Sequence, residues 1–200
     1  MKVRIFSILF VIALFFSGCV VFSFYPLYTE KDLFENDLLT GAWIDDDETI
    51  WNFEHPLRDK KDPDSSDKTS YRLKLNYKDS EQDENAVFDV RVIKLEGHYF
   101  LDFYLEEYGD DDTGLAEFHL IPVHTFAKVE FSDNKVFINW FDQDWLEKLI
   151  KQNKIRIHHE NNGDFILLTA KPEELQKFVT KYVNSDEAFE NGLDVVLVRE

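Results

Sequence analysis

The side chains that could do chemistry in this sequence are plentiful but scattered. It has six histidines, one cysteine and 40 carboxylates. His119 and His124 bracket Leu-Ile-Pro-Val, and at the two-residue period of a strand they fall on opposite faces unless Pro122 marks a bulge. His158 and His159 are adjacent, so they too point to opposite faces of one strand. Zinc asks for three or four converging ligands, which neither pair supplies. Asp110-Asp-Asp-Thr-Gly114 offers a Ca²⁺-like run of oxygens, with Asp110 and Asp112 as the candidate ligands, and Asp45-Asp-Asp47 offers another. Neither run has the spacing of an EF-hand or its closing bidentate Glu, so solvated loop charge is the simpler reading of both. No Gly-x-Ser-x-Gly elbow, His-Glu-x-x-His, Walker A or Cys-x-x-Cys occurs. An acid pair for glycoside cleavage has no distinguishing mark among so many carboxylates. The sequence therefore names no catalytic residue, no metal site and no cofactor, and a non-enzymatic role is the expectation.

The lone cysteine has a different use. Residues 1–19 read MKVRIFSILFVIALFFSGC: Lys2 and Arg4, an apolar stretch from Ile5 to Phe16 interrupted by Ser7, then Ser17-Gly18-Cys19. A basic start, a short apolar core and small residues at the end make a secretory signal, too short to span a bilayer permanently. Ser-Gly-Cys resembles the lipobox of bacterial lipoproteins, although Phe16 stands where Leu is usual. That resemblance implies cleavage before Cys19 and acylation of Cys19, which becomes the mature N-terminus. An ordinary signal peptide with an incidental cysteine is the plainer alternative. With one cysteine no intramolecular disulfide is possible, and acylation explains an exported single thiol. The domain organisation expected is a signal peptide over 1–18, a lipidated tether over 19–37 and a single β-rich domain over 38–200. Val20, and not Asp, follows the cysteine; under the resemblance this leans to the outer membrane over the cell membrane of a bacterial envelope.

The formal net charge is −18, and removing Lys2 and Arg4 makes the remainder more negative still. Such an acidic chain argues against nucleic acid, whose phosphates demand a basic face. It also argues against adhesion to anionic headgroups, leaving the lipid as the membrane contact. Nineteen Phe and an aromatic share of 16% suit one domain with a substantial core.

The elements that would position any site are mostly strands. Tyr71-Arg-Leu-Lys-Leu-Asn-Tyr77 alternates apolar and polar, the pattern of a half-buried antiparallel strand. Comparable runs lie at about 41–45, 48–54, 86–95, 98–105, 116–121, 124–131, 135–141, 154–159, 164–169 and 194–199. Glu96-Gly97, Asn162-Gly163 and Asp133-Asn134 carry turn chemistry that suits tight hairpins. Two helices interrupt the series. Asp144-Trp-Leu-Glu147 has capping-box spacing and predicts a helix over 144–152. Pro172 opens a second over 172–183, with Leu175, Phe178, Val179 and Tyr182 as its apolar stripe, and Thr169 replaces Lys171 as the expected start of the turn. The fold class expected is mainly β (α+β), an antiparallel meander forming a barrel or half-barrel, with two short helices in the C-terminal third.

"LLTGAW" (38–43) is similar to the first strand of the calycin group, which includes lipocalins. In that group a Gly-x-Trp sits at the closed end of an up-and-down barrel, and in lipocalins an arginine near the C-terminus stacks on the Trp. The likeness implies that Trp43 floors the barrel and that Arg199 stacks on it. The plain alternative is a core tryptophan after a turn. The second lipocalin motif is missing, and the two late helices exceed that group's usual pattern. "YPLYTEKDLFENDLLTGAW" (25–43), "FHLIPVHTFAKV" (118–129), "DWLEKLI" (144–150) and "PEELQKFV" (172–179) resemble an uncharacterised family of bacterial lipoproteins, which implies a location but no activity. The function expected is a lipid-anchored envelope protein with a structural or interaction role and an envelope protein as partner. The alternative is lipocalin-like binding of a small hydrophobic ligand inside the barrel.

Overall fold

The computed structural model describes residues 20–59, 62, 65–77, 86–107, 121–163 and 165–200. Among the described residues, eleven strands and two α-helices follow in chain order. They are β1 (Phe22–Ser23), β2 (Gly41–Ile44), β3 (Ile50–Glu54), β4 (Tyr71–Asn76), β5 (Ala86–Leu95), β6 (His98–Glu107), β7 (His124–Ser132), β8 (Lys135–Trp140), α1 (Gln143–Lys151), β9 (His159–Asn161), β10 (Ile166–Leu168), α2 (Pro172–Tyr182) and β11 (Asp194–Arg199). The expected run at 116–121 falls almost wholly outside the described residues.

Strands β2 to β8 pair with their sequence neighbours, and β11 inserts between β8 and β2, so eight antiparallel strands close on themselves. Closure leaves no free edge in the barrel, which disposes of the unpaired backbone groups an open sheet would expose. The final strand does the closing: Val198 stands opposite Ile44 and Arg199 opposite Trp43, while Val195 stands opposite Ile138. Tight turns set the registers. Glu96 and Gly97 both adopt positive φ, 49° and 89°, the twist that matches a two-residue hairpin between β5 and β6.

A second, smaller sheet grows from the wall. Past the end of β8, β7 takes a new neighbour: Phe22 and Ser23 of β1 pair with Thr125 and His124. β10 lies parallel to β1, and β9 completes the strip. Alternation at 154–159 does not produce a strand there. Lys154 closes the C-terminus of α1 through Leu149 O, and Ile157 is buried under the helices without a partner strand; pairing starts only at His159. The helix starts also differ from expectation. Asp142, not Asp144, caps α1, its carboxylate accepting the N–H groups of Asp144 and Trp145 at 2.8 and 3.3 Å. α2 begins at Pro172 with Lys171, whose side chain has no acceptor, at the cap position and no side-chain cap bond; Pro at the first turn compensates by fixing φ and removing one of the unpaired N–H groups.

Two apolar cores result. The inner one fills the barrel with Trp43, Trp51, Phe53, Leu73, Phe103 and Trp140 among others. The outer one lies against the outside of the β5–β6–β7 wall, where Ile93, Phe100 and Phe126 meet Leu146 of α1 and Phe178 and Val179 of α2. Of residues 20–37, Val21, Tyr25, Leu27 and Tyr28 belong to this outer layer, whereas Val20 and Phe34 pack against the inner core.

Candidate functional site

The Gly-x-Trp stretch comes first. Gly41 has φ +112°, a conformation that L side chains rarely adopt. A Cβ there would lie 3.0 Å from an Arg199 guanidinium nitrogen. The Arg199 guanidinium carbon stands 4.4 Å from the Trp43 ring centroid, within cation–π range. Arg199 also donates to Thr40 O at 3.2 Å. Trp43 itself is buried, with its indole N–H donating to Leu39 O at 2.7 Å. The three residues therefore form one unit where the chain enters the barrel, with the Trp43 N–H and one Arg199 nitrogen bonded to backbone carbonyls.

That unit closes on a filled interior. Phe53, Tyr71, Leu73, Val90, Leu101 and Ile138 each have 0% exposure. A void large enough for a ligand would give its lining accessible surface, so these six side chains meet only one another and their neighbours.

A groove lies on the outer wall. Outward-facing residues of β5, β6 and β7 meet the chain segment 24–28 around a groove of about 570 Å³ lined by Phe24, Tyr28, Asp89, Tyr104, Glu106 and His124 among others. The sheet register sets its floor: Asp89 stands opposite Tyr104, and Tyr104 opposite His124. Behind that row sits Asp102, 1% exposed. Its two oxygens are both used, one by Leu27 N–H at 2.7 Å and the other by His124 Nδ1 at 2.7 Å. An imidazole nitrogen facing a carboxylate carries its proton there, which turns Nε2 into the free acceptor. Among the described residues Nε2 makes no hydrogen bond. The His124 ring is held a second way, tilted 35° against Tyr104 at 4.7 Å between centroids.

Burial pushes the Asp102 carboxyl above its ordinary value, against the opposing pull of the His124 and Leu27 hydrogen bonds. Burial also raises the Tyr28 phenol, and Arg91 opposes that shift; the Arg91 guanidinium lies 5.8 Å from the Tyr28 ring centroid. Around the groove each carboxylate has its own base. Asp89 receives Arg91 Nε at 3.0 Å, Asp102 receives His124, and Glu106 stands 3.9 Å from Arg72. The Ser70 hydroxyl also bonds Asp89.

No family model, no curated protein and no solved structure matches this chain.

The remaining candidates fall elsewhere. Cys19, His119, Asp110 and Asp112 lie outside the described residues. The Asp45 carboxylate is consumed by its turn, accepting from Asp47 N, Thr49 N and the Trp51 indole at 3.0, 2.8 and 2.8 Å. His158 pairs with Glu174 at 2.7 Å, and His159 with Ile157 O at 2.8 Å. No group of three or more potential metal ligands converges among the described residues. The Asp102–His124 pair was not foreseeable as a site from spacing. Asp102 reads as the polar member of an alternating strand, and nothing local marks it as facing the helix-covered side of the wall. The one available signal was a carboxylate between Leu101 and Phe103 in the middle of an otherwise apolar strand, which needs a partner when buried.

Proposed function

We propose that this chain is a lipid-anchored protein of the bacterial envelope whose barrel is a solid scaffold and whose outer-wall groove is a binding surface. The anchor reading rests on the Ser17-Gly18-Cys19 sequence and the signal-like stretch before it. The binding reading rests on one contrast: the side chains at the middle of the barrel have no exposure, while His124 Nε2, without a hydrogen bond among the described residues, borders a groove. A buried carboxylate fixing the far side of an imidazole is how proteins hold a polar contact ready for a partner. With no nucleophile placed beside His124 among the described residues, the arrangement suits recognition better than catalysis.

The Gly41–Trp43–Arg199 unit favours a second reading, a lipocalin-like barrel that holds a small hydrophobic ligand. Side chains without exposure would have to move apart to admit one, so the unit is better explained as the clasp that closes the barrel. Two measurements test the proposal. Cys19→Ala should abolish labelling by a fatty-acid probe and cleavage by the lipoprotein-specific signal peptidase; normal labelling would overturn the anchor. Purified protein should bind no fluorescent fatty acid saturably. Saturable binding that is lost when the interior is narrowed by Leu101→Trp would move function back inside the barrel.

A further inference from the structure

We propose that the outer-wall groove binds a neutral, hydroxyl-rich ring with one apolar face, the chemistry of a saccharide, and that His124 Nε2 is its central polar contact. This rests on the reading of the groove as the binding surface. Four observations about the groove limit what it can take. Its volume, about 570 Å³, suits a small ligand and not a folded domain. Its lining combines the rings of Tyr28 and Tyr104 with Phe24, Ile121 and two prolines, which gives flat, apolar surface beside polar tips. Asp89 is paired with Arg91, Glu106 stands 3.9 Å from Arg72, and the buried Asp102 carboxylate is covered by the Leu27 and His124 N–H groups and does not face the groove as a bare charge. Finally, one acceptor, His124 Nε2, has no hydrogen-bond partner among the described residues, although its ring is held by Asp102 at its edge and Tyr104 on its face.

Each other ligand class meets a specific obstacle. An anion approaching a chain of net charge −18 meets repulsion, and no unmatched cation in the groove draws it in. A cation finds Asp89 engaged by Arg91 and Asp102 closed off by two N–H groups, which leaves Glu106 as a single exposed carboxylate near Arg72. A wholly apolar molecule would strip water from Nε2 and the carboxylates without replacing those hydrogen bonds. A saccharide avoids all three. Its hydroxyls donate to Nε2 and to the outer carboxylate of Glu106, and its C–H face lies on a tyrosine ring. Asp102 gives the site its preorganisation: with Nδ1–H committed to the carboxylate, Nε2 is an acceptor and aims at one point.

The test follows the His124 imidazole resonances by NMR in the full chain while cellotriose, maltotriose or chitotriose is added to about 10 mM, enough to detect millimolar affinity. At least one trisaccharide should shift the His124 signals saturably. Tyr104→Leu should weaken that response roughly tenfold or more, and His124→Gln, read through the Tyr104 ring signals beside it, should weaken binding as much. Tyr104→Leu, on the half-buried floor, keeps the test open if the histidine variant does not fold. Tetramethylammonium and decanoate serve as cationic and amphiphilic probes. If either moves the His124 signals and no trisaccharide does, the groove stands as a binding surface and the saccharide assignment falls. If none of the probes moves them, both readings fall.

Discussion

The inside and the outside of the barrel wall are both buried where β5, β6 and β7 pass, yet they are built by different rules. The inner core is enclosed by strands hydrogen-bonded on both edges, and its buried side chains are apolar, with the Trp43 N–H satisfied locally by Leu39 O. The outer core is assembled from two helices, part of residues 20–37 and strands of two or three residues. Ser23, Asp102, Asp142 and Gln143 are buried polar side chains on this side. An apolar, ring-closed interior specifies the fold, whereas a layered, polar-seamed exterior can leave a groove with an aimed acceptor. The buried Asp102–His124 pair and the groove both lie on the wall's outer face.

The largest effect expected is at the clasp. Trp43→Ala removes a buried indole and leaves Arg199 without its ring, and large-to-small changes of this kind cost about 3–5 kcal/mol, much of a marginal domain's stability. Urea unfolding followed by far-UV circular dichroism should show the midpoint collapse or the variant unfolded. An unchanged midpoint would mean that the inner core does not carry the fold.

A comparable truncation in the outer layer should behave differently. Leu146→Ala in α1 has 0% exposure to lose and is expected to cost about 2–5 kcal/mol. Its damage should be local at first. Amide hydrogen exchange should show α1, α2 and the β1–β10–β9 strip opening at lower free energy than the barrel strands, because short strands and helix packing make a separable unit. Uniform acceleration across barrel and outer layer alike would show that the two cores are one cooperative body.

These two regions were not equally legible in the sequence. The barrel was for the most part, because most of its strands alternate with period two and Glu96-Gly97 announces its hairpin, although β6, buried on both faces at Phe100 and Leu101, does not alternate cleanly. Even the partnership of Trp43 with Arg199 followed from the resemblance of "LLTGAW" to a known strand. The outer layer was readable only as isolated pieces. The apolar stripe of α2 shows that it packs, but period alone cannot say on which side of a sheet. Ile155 and Ile157 alternate like a strand and are used as plugs beneath a helix. Asp142 precedes the position that capping-box spacing favours, and it won because its carboxylate reaches two free N–H groups at once. The groove depends on long-range placement: Leu27 meets Asp102 across a sequence separation of 75, which no window of sequence contains.

A smaller effect separates two causes at Gly41. Gly41→Ala places a Cβ at φ +112° and 3.0 Å from an Arg199 nitrogen. Backbone strain of this sort costs about 1–3 kcal/mol, whereas the end of an exposed arginine can shift. Made in an Arg199→Ala background, Gly41→Ala should therefore retain most of its cost in thermal denaturation. If the cost vanishes there, the crowding of Arg199 and not the backbone accounts for the glycine, and the cation–π contact is the firmer part of the clasp.

The smallest effect is a change of slope with pH, and it probes the outer seam alone. Burial holds the Asp102 carboxyl above 3.8 in the folded chain, so the folded state binds this proton more tightly than the unfolded state. The stability from this group is then fully present below pH 3.8 and lost as pH climbs through the raised value. The charged and titratable groups around it are His124 on β7, Arg91 and Asp89 on β5, and Tyr28 on the covering segment. Asp102→Asn removes the titration while keeping both hydrogen bonds: the amide oxygen accepts from Leu27 N–H, and the amide N–H donates to Nδ1. Melting temperatures should therefore show the variant gaining on the wild type as pH rises from 3.8, with little difference below it. In the variant the proton moves to His124 Nε2, a tautomer that ¹⁵N chemical shifts report directly. A saccharide hydroxyl that donates to Nε2 would then meet a donor, so the trisaccharide response should weaken in a chain that remains folded. A difference curve flat with pH would show that Asp102 does not titrate as a buried acid. An unchanged tautomer would show that it does not set the acceptor in the groove.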